Sequence, residues 1–253
     1  MGLVEGRSGL VTGAAGGMGR AAAIRFAREG AAVLVTDLEG QRANGEETVG
    51  MIEAEGGRAV FVAADVTREA DHEMLVGRCV EAFGALDFAH NNAGTSFAGG
   101  VEDTPVEAWD RVMDVNLKGV WLGMKHQLAR MRQQGGGAIV NTASLGATMA
   151  IENLAAYIAG KHAVLGLTKA AALEVAGAGI RVNAICPSTT RTPMLEGLPP
   201  EQIERIVRPH AIERLCEPEE VAEAAVWLVS ERSSLVTGAP LRIDLGSSAG
   251  FSG

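Results

Sequence analysis

Residues 11–20 read VTGAAGGMGR. The apolar run that closes at Val11 has the composition of a strand, and from Gly19 to Glu29 apolar residues recur at helical spacing. Between the two stand Gly13, Gly17 and Gly19. Glycine allows a tight turn and lets backbone approach another group closely. The start of the following helix offers unpaired N–H groups and a partial positive charge, which suits a pyrophosphate. The spacing is T-G-x-x-x-G-x-G, not G-x-G-x-x-G, so taken alone the stretch also fits an ordinary strand-to-helix turn.

The same alternation continues outward along the chain. Strands are expected at Gly9–Val11, Ala32–Thr36, Ala59–Ala63, Leu86–His90, Ala138–Thr142, Arg181–Ile185 and Leu241–Ile243. Helical patterns fill the intervals at Gly19–Glu29, Arg42–Glu55, Glu69–Phe83, Val106–Arg132, Ala155–Val175 and Pro218–Ser230. Repeated strand–helix units predict an α/β fold, a parallel sheet wound on both faces by helices. Strands such as AAVLVTD are apolar almost throughout, as expected when both sheet faces are buried. With no linker-like segment in 253 residues, a single domain spanning residues 1–253 is expected. In such a sheet ligands bind beyond the carboxyl ends of the strands.

Those strand ends carry polar residues. Asp37 closes the second strand, where a carboxylate can bond ribose hydroxyls and repel the extra phosphate of NADP, or cap the next helix. Leu38 beside it brings no positive charge; Arg20 and Arg42 are the nearby cations, and the balance favours NAD. Asp65 and Val66 end the third strand region, and HNNAG follows the fourth at 90–94. Ser144 lies just beyond the fifth.

Composition removes other classes. The net charge is −9 with scattered Lys and Arg, which argues against nucleic acid. Cys79, Cys186 and Cys216 are far apart, there is no CxxC or HExxH, and no metal site is expected. Sparse cysteines, no signal-peptide core and no run of membrane-spanning length point to the cytoplasm, without a membrane partner.

Tyr157 is the only tyrosine in the chain, and Lys161 follows four positions later on one helix face, within AAYIAGK. A free phenol, with a pKa near 10, is too weak an acid for proton exchange near neutrality. An adjacent ammonium would lower it, making the phenol fit to move a proton to or from an alcohol or ketone oxygen. A packing tyrosine beside a solvated lysine is the plainer alternative.

Taken together and in order, TGAAGGMG, Asp37, Asp65, NNAG, DVNLKG, Ser144, YIAGK, CPSTTRTPM and the C-terminal VTGAPLRIDLG resemble the classical short-chain dehydrogenase/reductase family over nearly the whole chain. The resemblance implies a Rossmann fold with a seven-stranded sheet and oxidoreduction with NAD as cofactor. It implies Tyr157 as general acid/base, Lys161 as its tuner and ribose ligand, Ser144 as the substrate-oxygen ligand, and Asn116 as holder of a proton-path water. Thr12, Gly13, Gly17, Met18 and Gly19 would frame the pyrophosphate. Asp37 and Leu38 would meet the adenosine ribose, Asp65 and Val66 the adenine, and Asn92, Ala93 and Gly94 the cofactor pocket. Pro187, Thr190 and Thr192 would lie at the nicotinamide end.

Three positions depart from the family pattern: Ser188 stands where glycine is usual after Pro187, Gly160 where serine often precedes the lysine, and Leu245 within a DGG pattern. Residues 189–211 correspond to the variable substrate lid, expected as a mobile flap, with His210 either meeting a substrate or, as a lone histidine more often does, lying at the surface. The resemblance also implies a homotetramer and a small-molecule substrate, a secondary alcohol or ketone, with alicyclic or steroid-like compounds favoured. The alternatives are an NADP-dependent ketoacyl-type reductase and a catalytically silent NAD-binding sensor. The silent form usually lacks one of the Ser, Tyr and Lys that this chain keeps.

Overall fold

The computed structural model describes residues 2–192, 195, 199–208 and 210–250. Its centre is one parallel sheet of seven strands: β1 (Ser8–Thr12), β2 (Ala32–Asp37), β3 (Arg58–Ala63), β4 (Phe88–Asn91), β5 (Gly137–Thr142), β6 (Ile180–Pro187) and β7 (Pro240–Ile243). Their order across the sheet is β3-β2-β1-β4-β5-β6-β7. The direction of winding reverses at β1 and β4, which opens a crevice at their carboxyl ends.

Successive strand side chains point to opposite faces, and each face has its own core. Val11, Val33, Val35 and Val140 pack under α1 (Gly17–Arg28), α2 (Arg42–Ala54) and α8 (Pro218–Val229). Leu10, Leu34, Ile139 and Val182 pack under α3 (Glu69–Phe83), α5 (Gly119–Gln134) and α6 (Ala155–Val175). At the middle of the first core the rings of Phe26 and Phe88 lie 4.4 Å apart, both fully buried. Burial of each contributes about 3 kcal/mol. Glycines in the left-handed region end α3 and α5, Gly84 at φ 91° and Gly135 at φ 86°. Pro218 opens α8, where the Glu220 carboxylate accepts the Glu217 N–H at 2.9 Å.

The expected helix Val106–Arg132 is two helices. Between α4 (Val106–Met113) and α5, residues Asp114–Lys118 take the wider π winding. Both groups of the Asn116 side chain bond the backbone of Thr95, each at 2.8 Å, so a tertiary partner stabilises a winding that local sequence does not favour. Within the expected lid, residues Pro200–Val207 form α7. Residues 193, 194, 196–198 and 209 of that lid lie outside the described residues. Leu245 stands at φ 53°, in the region glycine favours, so the departure there carries strain of about 1 kcal/mol. No helix of the described residues is long and apolar enough to cross a membrane. The same residues hold no group of three His, Cys, Asp or Glu suited to a metal ion.

Candidate active site

A cleft of about 1420 Å³ runs along the carboxyl ends of the strands. At its centre is the glycine turn between β1 and α1. Gly13 and Gly17 hold φ of 65° and 51°. A Cβ on Gly19 would fall 2.1 Å from the Gly13 carbonyl oxygen and 2.6 Å from Asn92 Nδ2, so only hydrogen fits. Gly16 caps α1 without a side-chain bond, and no acidic residue lies in the first turn. The N–H groups and positive dipole end are thus left for an anion at Gly13, Gly17, Met18 and Gly19, all of which line the cleft. This cradle fits the pyrophosphate of a dinucleotide. Thr12 stands one layer behind: its hydroxyl accepts from the N–H groups of Asn92 and Ala93, at 2.9 and 3.0 Å. Asn92 Nδ2 donates back to the Thr12 carbonyl oxygen at 3.0 Å.

Asp37 and Leu38 form one rim. The Asp37 carboxylate accepts from Ala15 N–H at 3.1 Å and from Leu38 N–H at 2.9 Å, which fixes it facing the cleft with acceptor capacity to spare. Asp65 and Val66 line the same end. Asp65 accepts from the Thr67 N–H and hydroxyl, which fixes the turn before α3 without capping that helix. The Val66 carbonyl accepts from His72 Nε2 at 2.8 Å, a buried support that the sequence alone did not single out.

Ser144, Tyr157 and Lys161 meet at the other end. Ser144 follows β5, and its Oγ accepts the Gly146 N–H at 3.0 Å. α6 brings Tyr157, half-buried, and Lys161, which is 2% exposed. Lys161 Nζ donates to the Thr142 carbonyl at 2.7 Å and lies 5.7 Å from the centre of the Tyr157 ring. Burial pushes the Tyr157 phenol above its ordinary range, against a hydrogen bond with Ser144 that lowers it. Burial also brings the Lys161 ammonium down to about 8. The expected lowering, which called on the ammonium together with the charge of an oxidised nicotinamide, is not produced by the chain's own described residues. The i, i+4 spacing sets the shared face, but the ammonium is turned to the Thr142 carbonyl, and desolvation raises the phenol.

Asn116 is fully buried, and its amide is engaged with Thr95, next to Gly94. A Cβ on Gly94 would stand 3.3 Å from Asn116 Oδ1 and 3.5 Å from Lys161 Nζ, so glycine leaves these two side chains their room. Beneath them His90 bonds Thr142 Oγ1 at 2.9 Å, and complete burial pushes its ring down to about 3, keeping it neutral. At Gly160 a Cβ would meet only ordinary contacts at 3.6 Å, so the departure there is sterically neutral.

Pro187, Ser188, Thr190 and Thr192 complete the cleft beyond β6. Ser188 avoids the left-handed backbone region, so it needs no glycine conformation. His210 is not a surface residue: it is 4% exposed, with Nε2 2.7 Å from Ser188 Oγ. Leu145, Ile151, Leu154 and Leu195 give this end of the cleft an apolar wall.

A family model described as "Enoyl-(Acyl carrier protein) reductase" matches residues 13–248. The chain is 44% identical to an A-factor type gamma-butyrolactone 1'-reductase (1S-forming) of Streptomyces virginiae, over 97% of this chain and 96% of that protein. It is 41% identical to a cyclohexanol dehydrogenase of Acinetobacter sp. (strain SE19), over 93% and 92%. The solved structure of a levodione reductase superimposes with a TM-score of 0.90 at 36% identity, covering 98% of this chain and 99% of that one. Fold, strand order and these relatives agree: the chain belongs to the short-chain dehydrogenase/reductase family, whose members carry out oxidoreduction between CH–OH and carbonyl groups with a nicotinamide cofactor.

Proposed function

We propose that this protein interconverts a secondary alcohol and its ketone with NAD(H), using Tyr157 as the proton-transfer group. The observation that carries this reading is the meeting of Ser144, Tyr157 and Lys161 in the same cleft as the glycine cradle. When bound, the nicotinamide supplies the acceptor or donor of hydride. The chain supplies the rest. Ser144 holds the substrate oxygen by a hydrogen bond. In oxidation the hydroxyl proton passes to the Tyr157 phenolate as hydride leaves carbon; in reduction the phenol returns that proton to oxygen. The Lys161 ammonium favours the phenolate and meets the ribose. Asn116 fixes the Thr95 backbone beside Lys161 and would hold a water of the proton path.

The rim supports NAD over NADP in this reading. Asp37 would oppose a 2′-phosphate, and neither neighbouring arginine is free to receive one. Arg20 bonds Thr48, the carbonyls of Ala15 and Asn44, and the Glu47 carboxylate. Arg42 is paired with Glu39 and Glu46. Asp37→Ala should weaken NAD binding and cut the preference for NAD over NADP by about 10–100-fold, measured as the ratio of the two kcat/KM values.

The apolar wall favours an alicyclic substrate, in keeping with relatives named for cyclohexanol and for 2,5-dichloro-2,5-cyclohexadiene-1,4-diol. Turnover of a panel of cyclic and acyclic alcohols and ketones tests it. An acyl-carrier substrate finds little support: among the described residues, the cations lining the cleft besides Lys161 are Arg20 and Arg111. The assembly proposed is a homotetramer. Val106, Trp109 and Trp121 on α4–α5, and Leu173 on α6, are large apolar side chains 40% to 84% exposed on the helices expected to pair. Light scattering should report four chains, and a monomer at working concentration would overturn the assembly.

A further inference from the structure

The contact between Ser188 and His210 belongs to neither the sheet nor the proton-transfer groups. Ser188 Oγ and His210 Nε2 are 2.7 Å apart, and both residues are buried. On the other side of the ring, Nδ1 lies 2.7 Å from the Arg214 carbonyl oxygen. A carbonyl only accepts, so in the neutral ring Nδ1 carries the proton and Nε2 accepts from the Ser188 hydroxyl. The imidazole is thereby a strut between the loop after β6 and the segment 210–216. That segment backs the same loop twice more: Cys216 N–H donates to the Thr189 carbonyl at 3.0 Å, and Arg191 N–H donates to the Cys216 carbonyl at 2.9 Å. Within the loop, Thr190 Oγ1 donates to the Ser188 carbonyl at 3.0 Å. Pro187 to Thr190 line the cleft, and His210 stands behind them.

We propose that His210 is a positioning residue for the cofactor. Acting through the Ser188 hydroxyl, it holds the backbone of residues 187–190 where the cleft receives the nicotinamide half. The inference rests on the reading of this cleft as a nicotinamide site and deepens it. It also gives the Ser188 departure a purpose, since glycine has no side chain by which a loop can be held.

The test reads binding, not turnover. NADH is titrated by its fluorescence into wild type, Ser188→Ala, His210→Asn, His210→Gln and the double variant Ser188→Ala/His210→Asn, and Tm is recorded for each. Glutamine can still accept a bond near the position of Nε2, whereas asparagine reaches only the Arg214 side. Ser188→Ala and His210→Asn should each raise the NADH Kd about tenfold, the double variant should lose no more than either single one, and His210→Gln should stay within about twofold of wild type. The substrate KM at saturating cofactor should move far less than the NADH Kd. Equal affinities in all variants, losses that multiply in the double variant, or a fall in Tm with Kd unchanged would overturn the positioning role alone. Wild type that binds neither NADH nor NADPH would overturn the cofactor reading and this inference with it.

Discussion

Replacing Tyr157 with phenylalanine should lower kcat by about 10²–10⁴-fold in both directions while NADH binding and Tm stay near wild type. Phenylalanine keeps the ring that packs in the half-buried site and removes only the hydroxyl. The pH profile separates loss of a proton-transfer group from loss of packing. Burial holds the phenol above its ordinary range, so it is protonated through the neutral region. Reduction by the wild type, which uses the phenol as acid, should therefore be flat near neutrality and fall in alkali. Oxidation, which uses the phenolate, should rise as pH increases, close to tenfold per unit below the effective pKa. The bound oxidised cofactor brings positive charge and shifts that rise to lower pH. The residual rate of Tyr157→Phe should show neither limb.

Lys161→Met should give a protein that is more stable and nearly inactive. The ammonium is buried, and its pKa falls from 10.5 to about 8. Between those two values the unfolded chain binds more protons than the folded one, so stability rises with pH across that window. Below about pH 8 the cost of the buried charge is fully present, on the order of 3 kcal/mol. Methionine removes that cost but leaves the Thr142 carbonyl without its donor at 2.7 Å, a loss of about 1–2 kcal/mol. The net gain is about 1–2 kcal/mol at pH 7, and it should vanish or reverse above pH 10, as Tm at the two pH values would show. The kcat should fall about 10²-fold or more, because, among the described residues, the Ser144 hydrogen bond is then the one contact that favours the phenolate against its desolvation. A drop in Tm at pH 7 would mean that the hydrogen bond to Thr142 outweighs the burial of the charge.

Much of this was legible in the sequence where local physics decides the outcome. The apolar runs at 32–37 and 138–142 could be read as strands because helices cover both faces of the sheet. Gly13, Gly17 and Gly19 marked the turn because Gly13 and Gly17 hold positive φ and a Cβ on Gly13 or Gly19 would strike backbone. Other features depend on partners distant in sequence. The π winding at Asp114–Lys118 accompanies the Asn116–Thr95 bonds across 21 positions, and the Ser188–His210 strut spans 22. α7 was not read from the sequence: Pro200 and the spacing of Ile203, Ile206 and Val207 are its signal, but the prolines and charges of the segment also suit a loop. The helical spacing placed Tyr157 and Lys161 on one face. It carried no information on depth, and depth reverses the expected shift of the phenol.

The most direct test of the central claim is the absorbance of reduced nicotinamide when the wild type and Tyr157→Phe are mixed with NAD and a panel of cyclic secondary alcohols. The account predicts reduced cofactor with at least one cyclic alcohol, more from NAD than from NADP, and almost none with Tyr157→Phe although that variant still binds NADH. Equal turnover by both proteins, or a wild type that binds NADH yet leaves every alcohol and its ketone unchanged, would contradict it.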